Sequence, residues 1–246
     1  MPDLPGFGGM DSFRKIGKKP TIDNFADYLA AFIKMKYKRR RVSIIGISFG
    51  FVVATRMLQR YPDLAKKVDF FMSAVGFARH DDFQFTPQRM FLYRAASRAL
   101  SLPVLSGLFR LVALNPWMLR KAYARTHNAK HKFAEVAAIP EQFALLMDAE
   151  IDLWHINDVR THMHTTYEML RIDNCKQQVP LTVWHVYSKN DQYFNNQVVE
   201  QHLRIIFDDF VGMPLNMKTH APSVLAGKKE SAAFIPQKMR RALNRQ

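Results

Sequence analysis

The sequence predicts an α/β protein with a mostly parallel sheet covered by helices and a helical cap inserted into it. Three observations carry this. The runs Val42–Ile47, Val68–Val75 and Leu181–Tyr187 are apolar nearly throughout, the pattern of strands buried on both faces. Segments of helical period separate them, which suits parallel strands joined by crossovers. Residues 79–178 show no strand pattern and read as the cap, leaving 1–78 and 179–246 as the core.

In chain order, a glycine loop at Gly6 to Gly9 precedes a helix over Thr21–Lys36. Thr21 or Asp23 serves as its N-cap, and Phe25, Tyr28, Leu29 and Phe32 share one face. A basic turn from Lys36 to Arg41 leads into the first strand, and a helix over Phe49–Tyr61 ends at Pro62. The cap is helical, punctuated by Pro87, Pro103, Gly107, Pro116 and Pro140. Pro180 introduces the strand after the cap, which ends in the polar turn Ser188-Lys189-Asn190-Asp191. A helix over Asn195–Phe207 follows, then a last strand over Phe210–Lys218, expected to be irregular because of Gly212 and Pro214. A basic helix over Pro236–Asn244 closes the chain.

Of the 246 residues, 48% are hydrophobic, enough for one sizeable core. The single Cys175 excludes an internal disulfide and suits a reducing cytoplasm, the expected location. The start Met1-Pro2-Asp3-Leu4-Pro5-Gly6 does not read as a signal peptide, and no apolar run approaches the roughly 18 residues of a membrane span. Lys and Arg number 36 against 21 Asp and Glu, a formal +15, and Phe83–Ala134 contains no acidic residue. A basic, apolar segment of this kind suits a solvated lid, or peripheral contact with an anionic membrane. Nucleic acid is not expected, because no helix-turn-helix, zinc-finger or RNA-recognition signature accompanies the charge.

The chemistry centres on Gly46-Ile47-Ser48-Phe49-Gly50, a G-x-S-x-G stretch between a strand and a helix. A serine on so sharp a turn is held in a strained backbone, and glycines two residues either side remove a Cβ that would clash. Serine is a poor nucleophile at neutral pH and needs a base, which needs an orienting acid. Asp191 follows the third strand, and His220 lies in the loop Thr219-His220-Ala221-Pro222 after the last one, so both are expected at the edge that carries Ser48. The rivals have simpler roles. His185 sits inside an apolar strand, and His202 lies mid-helix. His127 and His131 have metal-ligand spacing without a glutamate between them or a third ligand. Asp81 and Asp82 offer a second strand-end acid. No metal or cofactor is expected; Gly6-x-Gly8 lacks the third glycine of a dinucleotide fingerprint, with Asp11 in its place.

With the elbow, the strand-end acid and the late histidine in this order, the chain resembles the α/β-hydrolase superfamily with a helical cap. Asp3-Leu4-Pro5-Gly6-Phe7-Gly8 is similar to that superfamily's D-x-x-G-x-G loop after its fourth strand. The resemblance implies hydrolysis of an ester, amide or related acyl bond through an acyl-enzyme. Ser48 attacks, His220 shuttles the proton, Asp191 holds the imidazole, and the N–H of Phe49 is an oxyanion donor. The aromatic and aliphatic cap residues Phe91, Leu92, Tyr93, Leu108, Phe109, Trp117 and Trp154 are expected to line an apolar pocket for a hydrophobic small-molecule acyl substrate. The resemblance also implies strands before the glycine loop and a second oxyanion donor after one of them, and neither is found here. The expectation is therefore an N-terminally truncated α/β-hydrolase fold, its activity weakened or abolished by the missing oxyanion donor, with an unpaired apolar edge on Val42–Ile47. Reading the coding sequence upstream of Met1 tests this. The competing reading is a non-catalytic binding or membrane-surface protein on the same fold.

Overall fold

The computed structural model describes residues 2–125, 140–215 and 236–243. Its strands are β1 (Val42–Ile47), β2 (Val68–Ala74), β3 (Val179–Ser188) and β4 (Phe207–Leu215). Its helices are α1 (Ile22–Lys36), α2 (Phe49–Arg60), α3 (Pro62–Ala65), α4 (Pro87–Leu100), α5 (Pro103–Val112), α6 (Pro116–Arg125), α7 (Pro140–Ile156), α8 (Val159–Met169), α9 (Asn196–Ile206) and α10 (Gln237–Leu243). They fall into two compact units, one built on the sheet and one helical.

In the sheet unit the four strands lie in the order β1-β2-β3-β4, and every pair is parallel. The register Ile47↔Ala74, Ala74↔Val186 and Val186↔Met213 brings the strand ends level with one another. On one face Phe51 of α2 stacks on Phe71, with ring centroids 5.2 Å apart, and Phe207 lies 5.6 Å from Phe71. On the other, Phe70, Met72, Ala74 and Val186 pack with Met239 of α10. Each face of β2 is thus buried, which is why its sequence does not alternate.

Two strand expectations are corrected. Val42–Ile47 was expected to be buried; only Gly46 is, and Ile45 and Ile47 are each 44% exposed. The cause is position: among the described residues β1 is an edge strand, with one neighbour. The last strand was expected over Phe210–Lys218 and irregular. It begins at Phe207 and follows β3 through Ser188↔Leu215, with one register shift between Val179 and Thr182 and none at Gly212 or Pro214; residues 216–218 lie outside the described residues. Pro214 is tolerated because β4 is also an edge in the described sheet, where a missing N–H breaks no ladder.

The described part of the helical unit comprises residues 2–21, 87–125 and 140–170. Leu114, Leu119, Leu146, Met147, Ile151 and Val159 form its core, with Phe109, Tyr123 and Trp154 packed against them. The opening loop, read from sequence with the sheet, packs here. Gly6 has φ 91°, a Cβ on it would meet Thr161 at 2.6 Å, and its carbonyl accepts from the Asp158 N–H at 2.8 Å. The Gly8 N–H donates to Asn157 Oδ1 at 2.9 Å. Glycine is required at Gly6 by the approach of α8 as well as by its backbone.

Candidate active site

The two strand ends that matter both lie in the sheet unit. Ser48 directly follows β1 and has φ 45°, ψ −112°, outside the regions that an L-residue ordinarily occupies. It is the N-cap of α2, a position where serine normally turns its hydroxyl onto the helix. Here the hydroxyl makes no capping bond. The backbone is held on both sides: the Ser48 N–H donates to Ala74 O at 2.9 Å, and its carbonyl accepts from Phe51 N–H at 3.1 Å. Phe49 begins α2, so its N–H belongs to the first turn, where no carbonyl of the helix can accept it.

The two glycines of the elbow differ. A Cβ on Gly46 would lie 2.4 Å from Phe51 Cα and 2.7 Å from Phe51 N, so the turn closes only with glycine there. A Cβ on Gly50 would meet nothing within 4 Å, so the expectation that both glycines relieve a clash holds only for Gly46.

Asp191 lies beyond the end of β3, at the same edge of the sheet as Ser48, and is 8% exposed. Its Oδ1 accepts N–H bonds from Tyr193 at 2.8 Å and Phe194 at 3.1 Å, which set the plane of the carboxylate. The turn is clamped from a neighbouring loop. Gln84 Nε2 donates to the carbonyls of Asp191 at 2.9 Å and Phe194 at 2.5 Å, and Gln84 N–H donates to Tyr193 O at 2.8 Å. Behind it Phe77 stacks on Phe194, and Phe83 packs against the same ring at a tilt. Gln84 carries no sequence signal, because its role depends on two loops about a hundred residues apart meeting. His220 lies outside the described residues, as do His127 and His131.

The rival residues have partners of their own. His202 Nδ1 and Asp82 Oδ1 share a hydrogen bond at 2.6 Å, while Asp82 Oδ2 accepts the N–H groups of Ala78 at 2.7 Å and Arg79 at 2.9 Å. Burial raises the Asp82 pKa, opposed by those same donors. This buried pair ties the loop after β2 to α9, and a histidine in mid-helix and an acid in a loop do not announce each other in sequence. Asp81, Asp82 and His202 bring ligand atoms within 4.8 Å of one another. Both Asp82 oxygens are already used, and the Arg79 guanidinium lies 3.3 Å from Asp81, so the group is a hydrogen-bonded structural pair and a poor cation site. Cys175 is no rival nucleophile; burial, with Asp173 and the Asp81 and Asp82 charges, pushes its thiol up to about 11.

His185 is a core residue. It is 2% exposed and bonds Ser73 Oγ through Nδ1 at 2.8 Å, while Ser73 accepts the Gly76 N–H at 3.2 Å. Burial pushes the ring down to about 3, with Asp191 acting weakly the other way. The folded pKa lies below the unfolded one, near 6.5, so the unfolded chain binds the extra proton between the two. Full stability is therefore present above pH 6.5 and falls at about 1.4 kcal/mol per pH unit through pH 6 to 4. The raised Asp82 pKa works against this in the lower part of the window. Urea unfolding at stepped pH should show the slope, and His185→Gln should flatten it; an unchanged slope in the variant would assign the acid lability elsewhere.

The cap residues expected to line an apolar pocket fall into two groups. Phe91, Leu92, Leu108 and Trp117 are 75, 61, 56 and 63% exposed, while Phe109 and Trp154 pack against the core of the helical unit itself. Helical spacing in α4 to α6 does not tell an inward stripe from an outward one.

No protein-family model matches the sequence. No curated protein matches it either. Solved structures do. An esterase from Thermogutta terrifontis aligns over 99% of this chain and 78% of its own, with TM-score 0.58 and 16% identity. The N-acyl homoserine lactonase AidH aligns over 98% and 77%, with TM-score 0.59 and 14% identity. A protein of Desulfitobacterium hafniense assigned to the α/β-hydrolase family aligns over 99% and 83%, with TM-score 0.56 and 16% identity. At such identities the likeness is one of fold.

Proposed function

We propose that this chain of α/β-hydrolase fold is a serine hydrolase that cleaves an ester-type acyl bond through an acyl-enzyme. The observation that carries the reading is the strained Ser48 at a strand-to-helix turn, with a hydroxyl that does not cap its helix. A protein keeps such backbone strain, about 1–3 kcal/mol, where function uses it. In the reaction Ser48 Oγ attacks the acyl carbonyl while His220 takes its proton. The negative oxygen that develops draws on the N–H of Phe49 and the positive end of α2. His220 then protonates the leaving alcohol or amine, and a water repeats the sequence to release the acid. Asp191 orients the imidazole, its own carboxylate being anchored by the N–H groups of Tyr193 and Phe194.

The spacing of the strands supports this division of labour. Two steps of about 4.8 Å separate β1 from β3, roughly 10 Å, which leaves room for an imidazole between a hydroxyl and a carboxylate. The esterase and lactonase likenesses favour esters over other acyl bonds. Labelling with a fluorophosphonate, followed by peptide mass spectrometry, tests the reading; the adduct is expected on Ser48, and a chain left unlabelled at Ser48 would overturn it.

Gln84 gives a finer check. Gln84→Ala frees the Asp191 turn and is expected to lower kcat on a short p-nitrophenyl ester about tenfold with little change in KM, by letting the base drift. An equal loss in Gln84→Ala made on an Asp191→Asn background would show that Gln84 acts by another route.

A further inference from the structure

The helical unit carries its apolar side outward. In α5 the one buried residue is Ser106, while Val104, Leu108 and Leu111 are 81, 56 and 77% exposed. In α4 the one buried residue is Ser97, while Phe91 and Leu92 stand out. Both serines satisfy themselves within their own helix: Ser97 Oγ donates to Tyr93 O at 2.6 Å, and Ser106 Oγ to Pro103 O at 2.9 Å. A helix that faces water has the opposite arrangement, and apolar surface on this scale marks a contact.

The charge around these residues selects the partner. Arg94 and Arg110 bond main-chain carbonyls, and Arg98 and Lys121 lie over the rings of Tyr167 and Trp117, partners that neutralise no charge. Arg120 is paired with Asp148. Phe83–Ala134 offers no acidic residue of its own. No single described helix is long and apolar enough to cross a membrane. Together α4 and α5 are apolar enough, but they bend by 100° at their break, which suits lying in an interface rather than spanning it.

We propose that the outward face of α4, α5 and the start of α6 docks on an anionic lipid bilayer. Val104, Leu108, Leu111 and Trp117 sink among the headgroups while the arginines meet lipid phosphates. The proposal does not depend on Ser48 chemistry. Its test is co-sedimentation of the full chain with vesicles of phosphatidylcholine alone and of equal parts phosphatidylcholine and phosphatidylglycerol, at low and high salt. Partition onto the anionic vesicles should be at least about tenfold stronger and should weaken with salt. A blue shift of Trp emission should accompany it and be lost in Trp117→Phe. The double variant Leu108→Glu/Leu111→Glu should melt like the parent and lose binding; Val104→Glu serves if that variant does not fold. Equal partition onto both vesicles, or anionic binding unchanged by these variants, would overturn the proposal. So would a dimer in light scattering that the variants dissolve without any vesicle binding, since the face would then join two copies.

Discussion

Ser48→Ala should leave a folded chain whose turnover of a p-nitrophenyl ester is on the order of 10⁵-fold lower, with loss of fluorophosphonate labelling. The loss is large because the hydroxyl is the atom that bonds to the acyl carbon, and water at the same place lacks its orientation. The fold should hold because the turn is fixed through the backbone: Ser48 N–H to Ala74 O, and Phe51 N–H to Ser48 O. Alanine keeps those bonds and the strained φ of 45°. Ser48→Gly separates strain from chemistry. It removes the same hydroxyl but has no Cβ to crowd the turn, so it should be equally inactive and about 1 kcal/mol more stable than Ser48→Ala in urea unfolding. A Ser48→Ala protein that retained most of the esterase activity would remove the catalytic reading altogether.

The second large effect is on stability and separates the two elbow glycines. Gly46→Ala places a methyl group 2.4 Å from Phe51 Cα, a backbone atom that no rotamer change can move. Either β1 or the start of α2 must shift, at a cost of at least about 3 kcal/mol. Gly50→Ala meets no atom within 4 Å and lies in the first turn of α2, where alanine favours the helix by up to about 0.5 kcal/mol. Chemical denaturation of the two variants should therefore move in opposite directions. Equal destabilisation would mean that the close approach of Gly46 to Phe51 is not what the motif serves.

What could be read in advance follows a pattern. β2 and β3 were legible because residues buried on both faces give continuous apolar runs, and α2 was legible from its helical period and the proline that follows. The place of Asp191 at the sheet edge was legible because parallel topology sends every strand end there, an argument that offered Asp81 and Asp82 as well. β1 has the same apolar sequence as β2 yet is half-exposed, because in the described sheet it has one neighbour where β2 has two; the superfamily resemblance, not the apolar run, announced that edge. The helices of the cap carried the same ambiguity: spacing identifies a stripe without saying which way it faces.

The linear order of residues was therefore sufficient for the strand-turn-helix that bends the chain at Ser48, because that strain is created and relieved within a few neighbouring residues. Folding in space was needed to reveal Gln84 on the Asp191 turn, Asp82 against His202, and the serines turned inward on α4 and α5. Those are meetings between segments far apart along the chain, and pairwise contact energies act on distance in space, of which a sequence records only the local part.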